Sequence, residues 1–169
     1  QLCPDDATPA LIQGDGDAVT FYGSLGPEPT QSGRLDLQKR RVRFVPAAPG
    51  ADRGRLVEDV YPGTYVPATK TWTFPATPVT RVIPREIGRS APGAPIFRYY
   101  RYDPADAPAM LELATPLDET GLARTVQIAV AFDAHPDGPA DPRRRTVLAD
   151  RVLARTADPT DPQRSPRCA

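Results

Sequence analysis

The residue types that carry most enzyme chemistry are scarce in this sequence. His135 is the only histidine, and it lies between Ala134 and Pro136 without a nucleophilic residue nearby in sequence. Because a general base must reach the proton that it removes, we interpret His135 as a solvated loop residue. If the protein were an enzyme, Asp118 and Glu119 would be its candidate catalytic carboxylates. No catalytic motif supports that hypothesis, because the nucleophile elbow, the P-loop and the dinucleotide fingerprint are all missing. We therefore expect neither enzymatic activity nor a cofactor.

The two cysteines, Cys3 and Cys168, lie almost at the two ends of the chain. A single pair is too sparse for a structural zinc site. A disulfide between them would stabilise the fold by about 4–5 kcal/mol in the chain-entropy model, and it would require an oxidising compartment. We expect this disulfide and an extracellular location, with two unrelated buried thiols as the alternative.

Acidic side chains cluster in two loops. Asp15 and Asp17 flank a glycine, and Asp133, Asp137 and Asp141 lie in a long loop before the last predicted strand. Calcium prefers several carboxylate and carbonyl oxygens on flexible loops, but neither stretch matches the calcium-binding loop pattern. Solvated acidic turns are the favoured interpretation, and calcium binding stays open.

Basic side chains cluster at residues 39–43 and 143–145, while 21 basic and 21 acidic residues give a formal net charge of +0. The candidate nucleic-acid contacts are Arg41, Arg43, Arg143, Arg144 and Arg145. However, Arg41 and Arg43 alternate with apolar positions, as on the solvated face of a strand. The neutral chain also lacks the positive field that is typical of nucleic-acid-binding proteins. DNA is therefore an improbable partner.

The most aromatic segment is residues 96–102. In a strand, Phe97 and Tyr99 would share one face, and Tyr100 and Tyr102 would share the other. An uncovered second face would be an exposed apolar patch, so a loop, a helix or a partner chain should cover it. Tyr100 and Tyr102 are accordingly our candidate interface residues, with a stacking platform for glycans as the alternative.

The elements that position these residues are predicted to be β-strands. The chain has 22 prolines, which are excluded from helix interiors and from central strands. Alternation of polar and apolar residues predicts strands at 18–22, 34–38, 41–45, 56–61, 70–74, 80–83, 96–102, 124–132 and 146–153. Residues 34–38 and 41–45 should form a hairpin with a tight connection at Lys39–Arg40. Residues 115–123 should form a short helical turn capped by Thr115 or Asp118.

We expect one domain over residues 1–169, mainly β, with antiparallel sheets, long proline-rich loops and at most short helical turns. Residues 1–17 should be loop-rich, residues 18–155 should hold the core, and residues 156–169 should form a proline-rich tail. The core faces should carry Leu35, Leu37, Val42, Phe44, Val126, Ile128, Val130 and Phe132.

Several segments together resemble a known family. The aromatic run Phe97–Tyr100 leading to Asp103, the stretch 114–117, the stretch 122–124 and a long alternating strand resemble the C-terminal part of prepilin-like proteins. These are the minor pilins and pseudopilins of type IV pili and type II secretion systems. The opening Cys3-Pro4-Asp5 and the strand at 18–22 also look like the start of their soluble domains. The resemblance covers roughly residues 1–25 and 78–155.

This resemblance implies a structural subunit that acts by protein–protein assembly in a filament at the bacterial cell surface. Its partners would be other pilin or pseudopilin subunits. It also implies an N-terminal apolar helix, absent from this sequence, that anchors the full-length protein in the membrane and packs on the sheet. The main alternative is a free-standing extracellular module that binds glycan or DNA.

Overall fold

The computed structural model describes residues 10–23, 37–106, 109–134 and 147–153, without the side chains of residues 147, 152 and 153. The first strands are β1 (Leu11–Gly14), β2 (Ala18–Gly23), β3 (Gln38–Pro46), β4 (Arg53–Pro62), β5 (Thr64–Val66) and β6 (Thr71–Thr73). They are followed by β7 (Val79–Val82), β8 (Ile87–Arg89), β9 (Phe97–Tyr102), β10 (Met110–Leu113), the helix α1 (Glu119–Arg124), β11 (Gln127–Asp133) and β12 (Val147–Leu153).

Ten strands form one antiparallel sheet that curls on itself. Its order is β1-β2-β3-β4-β8-β11-β9-β10, with β7 also paired to β4 and β12 also paired to β11. Strand β8 joins the two halves, because Ile87 lies opposite Gly54 of β4 and Gly88 lies opposite Asp133 of β11. Strands β5 and β6 form a separate hairpin. The predicted mainly-β fold of antiparallel strands with at most short helical turns is therefore confirmed for the described residues.

The hydrophobic core lies inside the curl and draws on both halves of the sheet. Its buried members are Leu11, Val19, Phe44, Leu56, Ile87, Ile96, Phe97 and Tyr99. Side chains of β11 pack against this cluster at alternate positions, namely Ile128, Val130 and Phe132. This alternation is the period-2 pattern of the sequence, so the predicted inward face of β11 is confirmed.

The turn between β1 and β2 fastens the first half of the sheet to β9. Ile96 and Phe97 donate their backbone N–H groups to the carbonyl of Gly16 over 2.8 and 2.9 Å. Arg89 adds two hydrogen bonds of 2.6 Å to the carboxylate of Asp17. The guanidinium of Arg89 also lies 4.8 Å from the centre of the Phe44 ring. These contacts close the curl around the core.

The predicted hairpin connection at Lys39–Arg40 is wrong. Strand β3 runs without a break from Gln38 to Pro46, and it pairs with β2 on one side and β4 on the other. The two cations fit inside a strand because each has a partner. Lys39 Nζ lies 4.4 Å from the Tyr61 ring centre, and Arg40 Nη1 lies 2.6 Å from Glu58 Oε1. Residues 34–36, where the first arm of the hairpin was predicted, lie outside the described residues.

Two other differences concern short edge strands. Residues 11–14 form β1, although residues 1–17 were expected to be loop-rich, and residues 110–113 form β10, which was not predicted. Both strands are only four residues long. Neither has an alternating pattern long enough to stand out in sequence. Their structure depends on pairing with β2 and β9.

Strand β5 and most of β8 were not predicted either, whereas the remaining elements follow the predictions. Strands β2, β4, β6, β7, β9, β11 and β12 lie on predicted strands, and β12 is the antiparallel partner of β11. Helix α1 begins after Asp118, whose Oδ1 accepts a hydrogen bond of 2.6 Å from the Gly121 N–H. The tail, residues 156–169, lies outside the described residues.

Candidate protein-interaction surface

The candidate interaction surface is the face of β9, β10 and β11 that points away from the core. Because Phe97 and Tyr99 are buried in the core, Tyr100 and Tyr102 lie on the opposite face, as the sequence predicts. The directly paired residues of neighbouring strands share that face. We call it the tyrosine face, and its members are Arg98, Tyr100, Tyr102, Met110, Glu112, Gln127, Ala129 and Ala131.

Polar contacts on the tyrosine face are long and open to solvent. Tyr100 Oη lies 3.4 Å from Glu112 Oε2, and Arg98 Nη1 lies 3.6 Å from the same oxygen. The side chains of Arg98 and Glu112 are 42% and 48% exposed. Exposed pairs of this kind contribute little to folding stability, typically under about 1 kcal/mol. Their side chains are therefore free to change partners when another surface approaches.

A buried amide lies in the middle of the tyrosine face. Gln127 is directly opposite Tyr100 and only 6% exposed, yet its Nε2 has no hydrogen-bond partner within the described part of the chain. A buried donor without a partner costs about 1–3 kcal/mol. On the same face of β11 are the small side chains of Ala129 and Ala131. The face therefore combines half-buried tyrosines, two alanines and a buried amide donor without a partner among the described residues.

Tyr99 lies on the core side of the same strand and stabilises the fold. Its Oη accepts a hydrogen bond from the Asp15 N–H and lies 3.0 Å from the carbonyl oxygens of Asp15 and Ala18. Burial raises the pKa of this hydroxyl well above its usual value, because the phenolate would be desolvated. The buried ring of Tyr99 and the hydrogen bonds of its hydroxyl therefore hold the β1–β2 turn against β9.

The basic run at residues 39–43 is occupied by internal contacts. Arg43 Nε donates to Asp59 Oδ2 over 3.0 Å, and Thr80 donates its hydroxyl to the other oxygen over 2.7 Å. Burial alone would raise the pKa of Asp59. The hydrogen bonds from Thr80 and Arg43, with the charges of Arg43 and Arg41, outweigh burial and hold that pKa below its usual value. Arg41 is half-buried, and its Nε is buried without a partner among the described atoms.

These contacts bear on the nucleic-acid hypothesis. A phosphate-binding arginine must offer its guanidinium to solvent, whereas Arg43 is paired with Asp59 and Arg40 is paired with Glu58. The Arg41 Nε has no partner among the described residues, but it is buried and not open to solvent. The other candidate contacts, Arg143, Arg144 and Arg145, lie outside the described residues.

The acidic residues are placed as follows. The Asp17 carboxylate is bound by Arg89, Asp15 Oδ1 accepts from the Asp17 N–H over 3.2 Å, and Asp133 is buried. Within the described residues, no group of three or more metal-ligating side chains occurs. Asp118 caps α1, and Glu119 is exposed in its first turn.

Five of the residues singled out in the sequence lie outside the described part of the chain, namely Cys3, Cys168, His135, Asp137 and Asp141. The disulfide between Cys3 and Cys168 therefore stays a prediction. The one helix among the described residues, α1, has six residues and does not have the length or apolarity needed to cross a bilayer.

Sequence reasoning missed one exposed apolar feature, which is strand β7 with the residue after it. Val79, Val82 and Ile83 are 58%, 50% and 43% exposed, so three large apolar side chains within five residues are open to solvent. Residues 80–83 were predicted to be a strand, but their pattern does not indicate which strand lies beside them. Its flanking prolines, Pro78 and Pro84, were the available signal, because prolines accumulate at sheet edges.

Comparison of this chain with protein-family models, with curated proteins and with solved structures finds no match.

Proposed function

We propose that this protein is a structural subunit that works by binding other proteins through the tyrosine face, in the manner of a minor pilin or pseudopilin. The observation that carries the proposal is the composition of that face. Tyr100 and Tyr102 are half-buried on the outward face of β9, and the small side chain of Ala129 lies on the same face of the neighbouring strand β11. Tyrosine is enriched at protein interfaces and among the residues that contribute most to binding.

The prepilin-like assignment adds the identity of the partner. It is supported by the resemblance of residues 97–132 to that family, in which strands of this kind are packed against a helix or a neighbouring subunit. A covering apolar surface would bury the two tyrosine rings.

The experiment is site-specific photo-cross-linking in cells that express the natural full-length protein. A benzophenone amino acid replaces Tyr100 in one variant and Lys70, an exposed residue in the β5–β6 turn, in a matched control. We expect position 100 to cross-link to a protein, or to a segment of the same protein, that begins with a prepilin-type apolar helix. Position 70 should give no such product.

Two results would contradict the proposal. One is equal cross-linking at positions 100 and 70, which would show that the tyrosine face is not a specific interface. The other is a coding sequence upstream of Gln1 without an apolar helix and a short basic leader, which would remove the pilin assignment. Binding of a glycan or of DNA that is lost in Tyr100→Ala, without protein cross-links, would favour the extracellular binding module instead.

A further inference from the structure

A second exposed feature, separate from the tyrosine face, is the free edge of strand β7. Strand β7 pairs with β4 on one side, and no other described strand pairs with it. Its four residues and Ile83 are exposed. Three of these five are large and apolar, namely Val79, Val82 and Ile83. An exposed apolar edge strand is a template for the addition of another strand.

The backbone hydrogen bonds show which groups this edge offers. Ile83 donates its N–H to the carbonyl of Leu56 in β4 over 3.0 Å. Successive residues of a strand direct their backbone groups to opposite edges, so Val79, Arg81 and Ile83 face β4. Thr80 and Val82 therefore direct their N–H and C=O groups outward. This edge can form four hydrogen bonds with an added strand.

The exposed charged side chains next to this edge are arginines, and the nearby Glu86 is half-buried. Arg81 lies within β7, Arg85 follows β7 in sequence, and Arg55 lies in β4 just before the residues that pair with β7. The carboxylate opposite Arg81 in β4 is Glu58, which is already bound to Arg40 at 2.6 Å. An incoming strand with an acidic residue opposite Arg81 would complement this charge.

The same arginine disfavours a second copy of the chain as the occupant. If two β7 strands paired so that Thr80 and Val82 both formed hydrogen bonds, each Thr80 would lie opposite the other copy's Val82. Arg81 would then lie directly opposite the other copy's Arg81. Like charges at directly opposed positions destabilise strand pairing, so the partner should be a different segment.

We propose that the free edge of β7 binds an extended, acidic and apolar segment of a partner protein by strand addition. The segment places a carboxylate opposite Arg81 and apolar side chains opposite Val79, Val82 and Ile83. Strand β4 already shows this complementarity on the other edge, where the run Leu-Val-Glu-Asp-Val at residues 56–60 lies antiparallel to β7. Backbone bonds supply the affinity, and the alternate side chains supply the specificity.

This inference rests on β7 alone and does not depend on the filament assignment. The tyrosine face and the β7 edge involve different strands, so the cross-linking result at position 100 and peptide binding at β7 can succeed or fail separately.

The test uses the full chain and a fluorescein-labelled, acetylated peptide, Arg-Leu-Val-Glu-Asp-Val-Tyr, which copies residues 55–61. We expect saturable binding by fluorescence anisotropy. In the antiparallel register, the peptide amides of the residues that copy Val57 and Asp59 face β7, and the amide of the residue that copies Glu58 faces solvent.

Methylation of those two inward amides should abolish binding, whereas methylation of the glutamate amide should change it less than about twofold. A peptide that displaced β4 instead would be sensitive to both changes. A peptide with lysine in place of glutamate should bind more weakly by about two- to fivefold or more, because an opposed pair of unlike charges becomes a pair of like charges.

The matched changes in the protein are Val82→Pro and Lys70→Gln. Proline is tolerated where an edge N–H faces solvent, so Val82→Pro should fold and weaken peptide binding by about tenfold or more through the lost bond. Lys70→Gln lies in the exposed turn of the separate β5–β6 hairpin and should leave affinity within about twofold. Should Val82→Pro not fold, the methylated peptides still decide the question on the unchanged protein.

Three outcomes would overturn the proposal. The first is an absence of binding by the unmethylated peptide. The second is equal binding by the two kinds of methylated peptide, or binding by folded Val82→Pro that equals that of the unchanged chain. The third is a dimer in sedimentation velocity that Val82→Pro abolishes, because that result would assign the edge to a second copy.

Discussion

Replacing Tyr99 with phenylalanine removes a single oxygen atom from a fully buried ring. Tyr99 is 0% exposed, so the Phe ring fills the same space without contact with water. The missing Oη lies 3.0 Å from two carbonyl oxygens, those of Asp15 and Ala18, and 3.2 Å from the Asp15 nitrogen. The substitution therefore tests how strongly the hydroxyl holds the β1–β2 turn against β9.

The expected loss of stability in Tyr99→Phe depends on which hydrogen bonds the variant keeps. The Asp15 N–H keeps a second acceptor, the Ala18 carbonyl at 2.8 Å, so it is not left unpaired. The hydroxyl has one proton and donates to one carbonyl at a time. Losing this bond inside the core should lower the free energy of unfolding by about 1–2 kcal/mol. For a chain of this size, the melting temperature should fall by about 2–4 °C for each kcal/mol.

The neighbouring Tyr100→Phe variant is the matched control. Its hydroxyl makes only an exposed bond of 3.4 Å to Glu112, so the loss should stay below about 0.5 kcal/mol. Urea denaturation followed by circular dichroism measures both variants in parallel. Equal stability of the Tyr99→Phe and Tyr100→Phe proteins would refute the assigned role of the Tyr99 hydroxyl.

Alkaline pH provides a second readout of the same hydroxyl. Burial raises the pKa of Tyr99 in the folded protein above the value of about 10 for an exposed tyrosine. The native state then holds this proton more tightly than the unfolded state, so its contribution is complete below about pH 10 and is lost as the pH rises further. Above about pH 10, the free energy of unfolding of the unchanged chain should therefore fall more steeply than that of Tyr99→Phe, by up to about 1.4 kcal/mol per pH unit. Parallel pH profiles would contradict this.

Two further substitutions test the interior of the first half of the sheet. Asp59→Asn should lower the free energy of unfolding by about 2–3 kcal/mol at neutral pH, because it removes the carboxylate charge that strengthens the hydrogen bonds from Arg43 and Thr80. Since the pKa of Asp59 is lowered in the folded state, this difference should shrink as the pH falls below about 4, and urea titrations that show a pH-independent difference would argue against it. Gly54→Ala should cost more than about 3 kcal/mol or prevent folding, because its Cβ would lie 2.1 Å from the Val45 carbonyl oxygen. Gly23→Ala, whose Cβ would meet nothing closer than 3.6 Å, is the control, and equal melting temperatures would disprove the clash.

The alternation of polar and apolar residues was enough to predict most strands and their inward faces. The long strand β11 was predicted with its inward residues, and the split of residues 97–102 into a core face and a tyrosine face follows directly from a period of two. Asp118 was predicted as one of two caps for α1, and the structure selects it. These features are local, and each depends on a few adjacent residues.

Features that depend on pairing between distant segments could not be predicted in this way. Strand β1 is four residues long and is held by β2, while β10 is held by β9. The joining role of β8 depends on contacts with residues more than thirty positions away in either direction. No local pattern encodes such partners, because strand order is set by the packing of the whole core.

Pairing between strands also decides which charges are available for binding. In sequence, the cations at residues 39–43 are the most concentrated basic run of the described chain, yet the register places Asp59 beside Arg43 and Glu58 beside Arg40. Arg81 is a single cation in its segment of the sequence. The carboxylate opposite it, that of Glu58, is already bound to Arg40, so Arg81 can pair with a carboxylate of another protein. A cluster of like charges is therefore a poor guide to binding when it lies inside a sheet. A single cation on an open edge strand is better placed to bind a partner than a paired cation inside the sheet, because both its charge and the neighbouring backbone groups are accessible.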